Sequence, residues 1–331
     1  MSISSGFEGA VGNTPLIRLE RLSQATGCDI LGKAEFMNPG GSVKDRAARA
    51  IVHAAEKSGR LGTGGTVVEG TAGNTGISLA HLCRSRGYRC VIVMPDNQSA
   101  EKYAILQALG VELERVPAVP YADPNHYQRV AKRRAEEITG AVWADQFDNT
   151  ANRDGHYATT GPEIWRDTEG RLDAFVAASG TGGTFGGTAT FLKERGGSSL
   201  RTVLADPQGS ALFRWVRDGE LKAEGPGSIT EGIGIGRVTA NLRDAPIDEA
   251  LHVTDLEAVG MAHYLLREEG LFLGSAAGVN VAAAVRLARH MGPGHRIATI
   301  LCDSGHKYQS RLYDRDWLAG KGLLAATESE P

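Results

Sequence analysis

The sequence is poor in aromatic residues, at 6%, and holds only four cysteines in 331 residues. So few aromatics argue against the stacking platforms that grip single-stranded nucleic acid. Cys28, Cys83, Cys90 and Cys302 form no C-x-x-C pair, and the nearest two lie seven residues apart with no histidine cluster beside them. Neither a bound metal nor a disulfide framework is expected; buried thiols in a reducing compartment are. An excess of one charge is also missing. Thirty-six Lys plus Arg against 39 Asp plus Glu leave a net −3, which supplies no pull toward nucleic acid or an anionic membrane. The most apolar stretch, Leu271 to Val285, is broken by Ser275, Asn280 and glycines and falls short of the about 20 residues a membrane span needs. The opening MSISSGFEGAVGN has no charged start followed by an apolar core, so it is not read as a secretory signal, and a cytoplasmic protein is expected.

Glycine is abundant, with 43 residues, and the chain is long enough for about two domains of ordinary size. Short β-branched runs alternate with longer amphipathic ones, which argues for an α/β fold with parallel strands. Strands are predicted at Ile30 to Lys33, Val67 to Glu69, Val91 to Met94, Val142 to Ala144, Phe175 to Ala178, Val203 to Asp206 and Ile297 to Cys302. The segment from Ser42 to Gly59 reads as a helix, with Ser42 able to cap, Asp45 in the first turn and Ala47, Ala50, Ile51 and Ala54 at helical spacing. A second helix is expected after Thr254 and before Gly270.

In open α/β sheets ligands gather beyond the carboxyl ends of strands, and three glycine-rich segments follow strand-like runs. Glu69 to Gly76 (EGTAGNTG) turns from a strand into a helix whose first amides could hold an anion. Ser179 to Thr184 (SGTGGT) presents several unobstructed amides and reads as a phosphate cup. Glu231 to Gly236 (EGIGIG) reads as a mobile lid or pocket wall. Taken singly, each is as well explained by turn duty. Neither G-x-G-x-x-G nor G-x-x-x-x-G-K-[ST] is met, since Phe185 stands where the first needs glycine, so the cup suits a single phosphate.

There are nine lysines, and Lys44 is the unusual one. It lies in NPGGSVKDR at the start of a helix, where the positive end of the helix dipole disfavours an ammonium and favours a nucleophilic amine. An ordinary surface lysine remains the alternative at this level. Five motifs, however, occur together and in order: NPGGSVKDRAA around Lys44, TAGNTG at Thr71 to Gly76, GTGGT at Gly180 to Thr184, EGIGIG at Glu231 to Gly236 and DSG at Asp303 to Gly305. In this the chain resembles the cysteine synthase and cystathionine β-synthase family of fold-type II pyridoxal-phosphate enzymes, from Gly12 through Ser304.

The resemblance implies a tryptophan synthase β-like fold with two open, mostly parallel sheets flanked by helices. It implies a larger domain from residues 1–45 and 152–331, and a smaller mobile one from 46–151. It assigns Lys44 to the covalent link with pyridoxal 5′-phosphate, Gly180, Thr181, Gly182, Gly183 and Thr184 to its phosphate, Asn74 to the pyridine 3′-oxygen and Ser304 to the pyridine nitrogen. The substrate carboxylate is expected at Thr71, Thr75 and Gln146, with the Ala72, Gly73 and Asn74 turn and Gly232 nearby. The implied reaction is β-replacement, in which O-acetyl-L-serine or a related β-substituted alanine plus sulfide gives L-cysteine. A homodimer is implied, and a complex with serine acetyltransferase is possible within the family.

Two departures bear on the substrate. Ala72 stands where many family members carry serine, which removes a hydroxyl beside the expected carboxylate. Asp45 follows Lys44 as in the cystathionine β-synthase branch, although neither a haem-binding extension nor a regulatory pair of that branch's long type is expected. A serine-plus-homocysteine synthase, a cysteine desulfhydrase and another β-substituted alanine synthase are the rival activities. A silent binding protein on the same scaffold is the rival of another class.

Overall fold

A computed structural model describes residues 3–330. Ten strands form two sheets: β1 (Leu16–Arg18), β2 (Asp29–Lys33), β3 (Thr66–Gly70), β4 (Arg89–Pro95), β5 (Glu112–Val116), β6 (Ala141–Trp143), β7 (Ala174–Ala178), β8 (Arg201–Pro207), β9 (Glu249–Val253) and β10 (Arg296–Ile300). The six-stranded sheet runs β1-β2-β10-β7-β8-β9 and the four-stranded sheet β5-β4-β3-β6. Every pairing is parallel except β1 with β2. The expected α/β architecture is therefore present. All seven predicted strands occur within a residue or two at each end, and β1, β5 and β9 are additional.

Burial explains which strands were readable. In β3 all five residues are buried, and in β4 all but the first, so parallel packing with helices on both faces leaves continuous apolar runs. The three additional strands all lie at sheet edges. β5 reads Glu-Leu-Glu-Arg-Val with only Val116 buried, and β9 reads Glu-Ala-Leu-His-Val with only Val253 buried; edge strands interrupted by polar residues give no long apolar run to detect.

The first predicted helix spans Lys44–Lys57 and is preceded by Val43, so Ser42 does not occupy the capping position. Its backbone instead bridges to Asp303, while its hydroxyl accepts from the Lys44 amide at 3.3 Å. Asp255–Glu268 forms as expected, with a capping box between Thr254 and Glu257. The apolar stretch after Leu271 becomes the helix Ser275–Met291, buried from Ser275 through Val285 against the large sheet. Among the described residues no helix is long and apolar enough to cross a membrane.

A buried ionic network underlies the start of the Lys44 helix. Arg46 makes paired contacts with Glu35 (2.7 and 2.8 Å) and with Glu163 (both 2.7 Å), and Glu163 also meets Lys33 at 2.8 Å. Burial opposes the charge on Glu163, yet Arg46 and Lys33 hold its carboxyl at about 2. The network ties the helix to the short 3-10 turn Glu35–Met37 and to the helix Thr160–Asp167.

Candidate active site

A cavity of about 360 Å³ is walled by residues just past the carboxyl ends of strands from both sheets: Thr71 after β3, Gln146 after β6, Gly180 after β7 and Cys302 after β10. Lys44 opens the helix Lys44–Lys57 on its floor. It is half-buried, with the cavity at its open side, and its amine makes no hydrogen bond or ion pair among the described residues. Burial lowers its pKa, while Cys302 and Asp303 pull the other way. The neighbouring Cys302 thiol is pushed up to about 12, chiefly by burial, and so stays neutral. An unclaimed amine with a lowered pKa is the form of lysine that reacts with a carbonyl.

The second wall is the loop between β7 and the helix Gly183–Gly196. Gly182 holds a φ of +87°, and a Cβ there would lie 2.7 Å from Thr239 Oγ1. With that turn in place, no acceptor for the amides of Gly180, Thr181, Gly182, Gly183 and Thr184 occurs among the described residues. Such a group of free donors at a helix amino terminus fits a phosphate. Gly180 and Thr181 line the cavity, whereas Gly182, Gly183 and Thr184 do not. Thr181 Oγ1 accepts from Asn152 at 3.0 Å, and Thr184 Oγ1 meets His156 Nε2 at 3.2 Å. Sequence reasoning gave His156 no role; it is fully buried, and burial holds its pKa well below the ordinary value.

The third wall follows β3. Gly73 has a φ of +142° and a Cβ on it would meet Lys102 Cδ at 2.5 Å, so the turn admits only glycine. Thr71, Ala72, Gly73, Asn74 and Thr75 all line the cavity, as does Gly232 opposite. Thr71 Oγ1 accepts from the Gly73 amide at 3.1 Å, and the Thr75 hydroxyl donates to Gln146 Oε1. Gln146 lines the cavity, but its amide nitrogen donates to Glu69 at 3.0 Å and to the Gly70 carbonyl at 3.1 Å. Both its donors are thus engaged, and its oxygen accepts from Thr75. Burial raises Glu69 to about 8, which keeps that carboxyl protonated at neutral pH.

Ser304 is not part of the cavity wall, and its hydroxyl lies 2.6 Å from His306 Nδ1. Asp303 beside it does line the cavity and takes hydrogen bonds from Asn74 at 2.7 Å and Tyr308 at 2.6 Å. Glu231, which lines the cavity, pairs with Lys102 of the helix Ala100–Ala108 and, at 2.9 Å, with Arg311, so the expected lid or pocket wall is tied both to the smaller sheet's side and to the carboxyl-terminal segment. Sequence reasoning quoted Asp303 only as part of the DSG motif and missed Tyr308, Lys102 and Lys307; the Asn74 partner of Asp303 and Lys307 and the Glu231 partner of Lys102 are remote in the chain. Among the described residues no group of acidic, histidine or cysteine side chains could hold a metal ion.

A free amine and a set of free amides bordering one cavity suit an aldehyde and a phosphate on one small molecule. The family described as "Pyridoxal-phosphate dependent enzyme" matches residues 7–303. This chain belongs to that family. It is 53% identical to cysteine synthase 1 of Neurospora crassa, over 98% of this chain and 87% of the relative. It is 52% identical to cysteine synthase 1 of Emericella nidulans, over 97% of this chain and 88% of the relative. A crystal structure of an O-acetylserine dependent cystathionine β-synthase from Helicobacter pylori superimposes with a TM-score of 0.85, at 32% identity, covering 94% of this chain and 99% of that one. The fold is fold-type II, and the cofactor of the enzyme is pyridoxal phosphate.

Proposed function

We propose that this enzyme is a cysteine synthase, replacing the β-substituent of O-acetyl-L-serine with sulfide to give L-cysteine. The observation that carries the reading is the near-full-length identity, about one residue in two, to cysteine synthases. Pyridoxal phosphate, when bound, supplies the electron sink that lets an amino acid lose its α-proton and a β-leaving group. The residues of this chain do the rest. Lys44 Nζ is the attachment point for the aldehyde, and its lowered pKa suits it to take up the substrate α-proton. The amides of Gly180 through Thr184 receive the phosphate, and Asn74 faces the 3′-oxygen. The Thr71 hydroxyl, whose oxygen accepts from the Gly73 amide, and the amides of Ala72 and Asn74 receive the substrate carboxylate, while the Thr75 hydroxyl, donating to Gln146 Oε1, ties the turn to Gln146. The Gly232 loop and its Glu231 latch exclude water from the reacting carbons.

Residues 46–151, which contain the whole four-stranded sheet, act in this reading as a smaller mobile domain against 1–45 with 152–331. A homodimer in a cytoplasmic setting completes the proposal, supported by four free cysteines and by family resemblance. Serine acetyltransferase is the further partner the family implies, and co-elution with the purified enzyme tests it.

A second reading is favoured by Ala72, which removes a hydroxyl from the carboxylate site, and by an outer cleft that shares Ala72, Glu231 and Gly232 with the cavity. In this reading a larger thiol replaces sulfide. Purified enzyme given O-acetylserine with sulfide or with a panel of thiols distinguishes the two by product. Cysteine from sulfide, lost in Lys44→Ala, is the expected result. No turnover of O-acetylserine with any nucleophile overturns both readings.

A further inference from the structure

Lys307 is nearly buried, at 5% exposure, yet makes no ion pair among the described residues. Its ammonium donates to three oxygens, the carbonyls of Gly41 at 3.0 Å and Gly40 at 3.4 Å and Asn74 Oδ1 at 3.0 Å. Its countercharges, Asp303 and Asp45, act on it from beyond ion-pair distance, so the ammonium is satisfied directly by these three neutral acceptors. The three acceptors point to what the charge is for. Gly40 and Gly41 belong to the loop that delivers Lys44, and Asn74 opens the helix on the opposite wall.

The chemistry of the two neighbours fixes the Asn74 carboxamide in one orientation. An ammonium has only donors and must face Oδ1, while the Asp303 carboxylate accepts from Nδ2 at 2.7 Å. The second amide hydrogen lies between the Tyr308 hydroxyl and the cavity that both residues line, so Asn74 can offer a donor to an acceptor bound there. In pyridoxal phosphate the aldehyde carbon and the 3′-oxygen sit on adjacent ring carbons. The amine that meets one and the amide that meets the other must therefore keep a fixed spacing, and Lys307 is bonded to both segments.

We propose that Lys307 is a positioning residue, registering the Asn74 amide against the Lys44 loop so that both meet adjacent substituents of the cofactor ring. The inference rests on the reading that Asn74 faces the 3′-oxygen. Its test is a double-mutant cycle of Lys307→Met and Asn74→Ala, read as cofactor dissociation constant by titrating apoenzyme, with the ratio of cofactor absorption bands against pH as the second readout. Lys307→Met weakens cofactor binding about tenfold in the parent, as loss of one charge-assisted hydrogen bond would. In the Asn74→Ala background it changes binding less than about twofold, because the partner is already gone. Lys307→Arg recovers most of the affinity and the parent's pH profile. Apoenzyme melting curves separate these effects from unfolding. If Lys307→Met does not fold, Lys307→Gln, which keeps a donor but not the charge, takes its place in the cycle. Equal losses in both backgrounds, or none in the parent, overturn the role of Lys307. An Asn74→Ala enzyme that binds cofactor like the parent overturns the Asn74 contact itself, a separate result that also removes the basis of the inference.

Discussion

Replacing Glu163 by Gln breaks the buried network beneath the Lys44 helix at its most connected member. The carboxylate receives both Arg46 terminal nitrogens at 2.7 Å, Lys33 at 2.8 Å and the Asn13 amide at 3.0 Å. A glutamine of the same shape cannot accept from all four donors, and it leaves Lys33 with the neutral Thr14 carbonyl and with Asp167 at 3.4 Å as partners. The depression of the carboxyl from its ordinary 4.5 to about 2 corresponds to about 3 kcal/mol of stability. Breaking a buried pair by removing one partner costs a similar amount, about 3–5 kcal/mol. The sign follows from the depressed value: the contribution is complete above pH 4.5 and is lost as pH falls toward about 2. Urea unfolding of parent and Glu163→Gln should differ by about 3 kcal/mol at pH 7, and the difference should shrink steadily below about pH 4.5. A difference under about 1 kcal/mol at pH 7, or one that stays constant down to pH 3, would refute the claim that charge in this network holds the helix.

Asp45 is the opposite case: burial raises it to about 6 although Ser78 and the Gly40 amide, at 2.6 Å, hydrogen-bond to it. Folding then disfavours its ionised form, so stability falls as pH rises from 3.8 through about 6, and Asp45→Asn should gain up to about 3 kcal/mol at pH 8 and nothing near pH 3 in urea unfolding. A loss at pH 8 would mean that its charge is needed by Lys307. Gly182→Ala forces a Cβ to within 2.7 Å of Thr239 Oγ1 and 2.8 Å of Leu242 Cβ at a φ of +87°. The displaced amides should weaken cofactor binding at least about tenfold by fluorescence titration, since the left-handed conformation alone costs about 1–2 kcal/mol. Unchanged affinity would remove this loop from the phosphate site.

The parts of this protein that could be read from sequence are those in which a function is written in consecutive residues. The interior strands announced themselves as apolar runs because both faces are covered, and the two loops did so because close approach of backbone demands glycine within a few positions. Lys44 could be singled out because its neighbours in the chain are also its neighbours in the site. Edge strands β5 and β9 fail the same test: β5 interleaves charge with apolar residues, β9 is only partly buried along most of its length, and what makes them strands is pairing with β4 and β8 rather than anything in their own composition.

The side-chain partnerships of the site obey the same division. Gln146 was expected to reach a substrate carboxylate, but its donors are turned to Glu69 and Gly70, 77 and 76 residues away. Asn74 was assigned a cofactor contact with no hint that Asp303 and Lys307, 229 and 233 residues distant, hold its two ends. Neither partnership leaves a local trace, because an amide is oriented by whichever donors and acceptors the fold brings to it. In a two-walled site, then, sequence motifs identify the groups that touch the ligand, while the groups that set their orientation arrive from the other wall. Residues such as Lys307, conspicuous as a buried cation bonded to neutral acceptors from two separate segments, are where such control is to be sought in the folded chain.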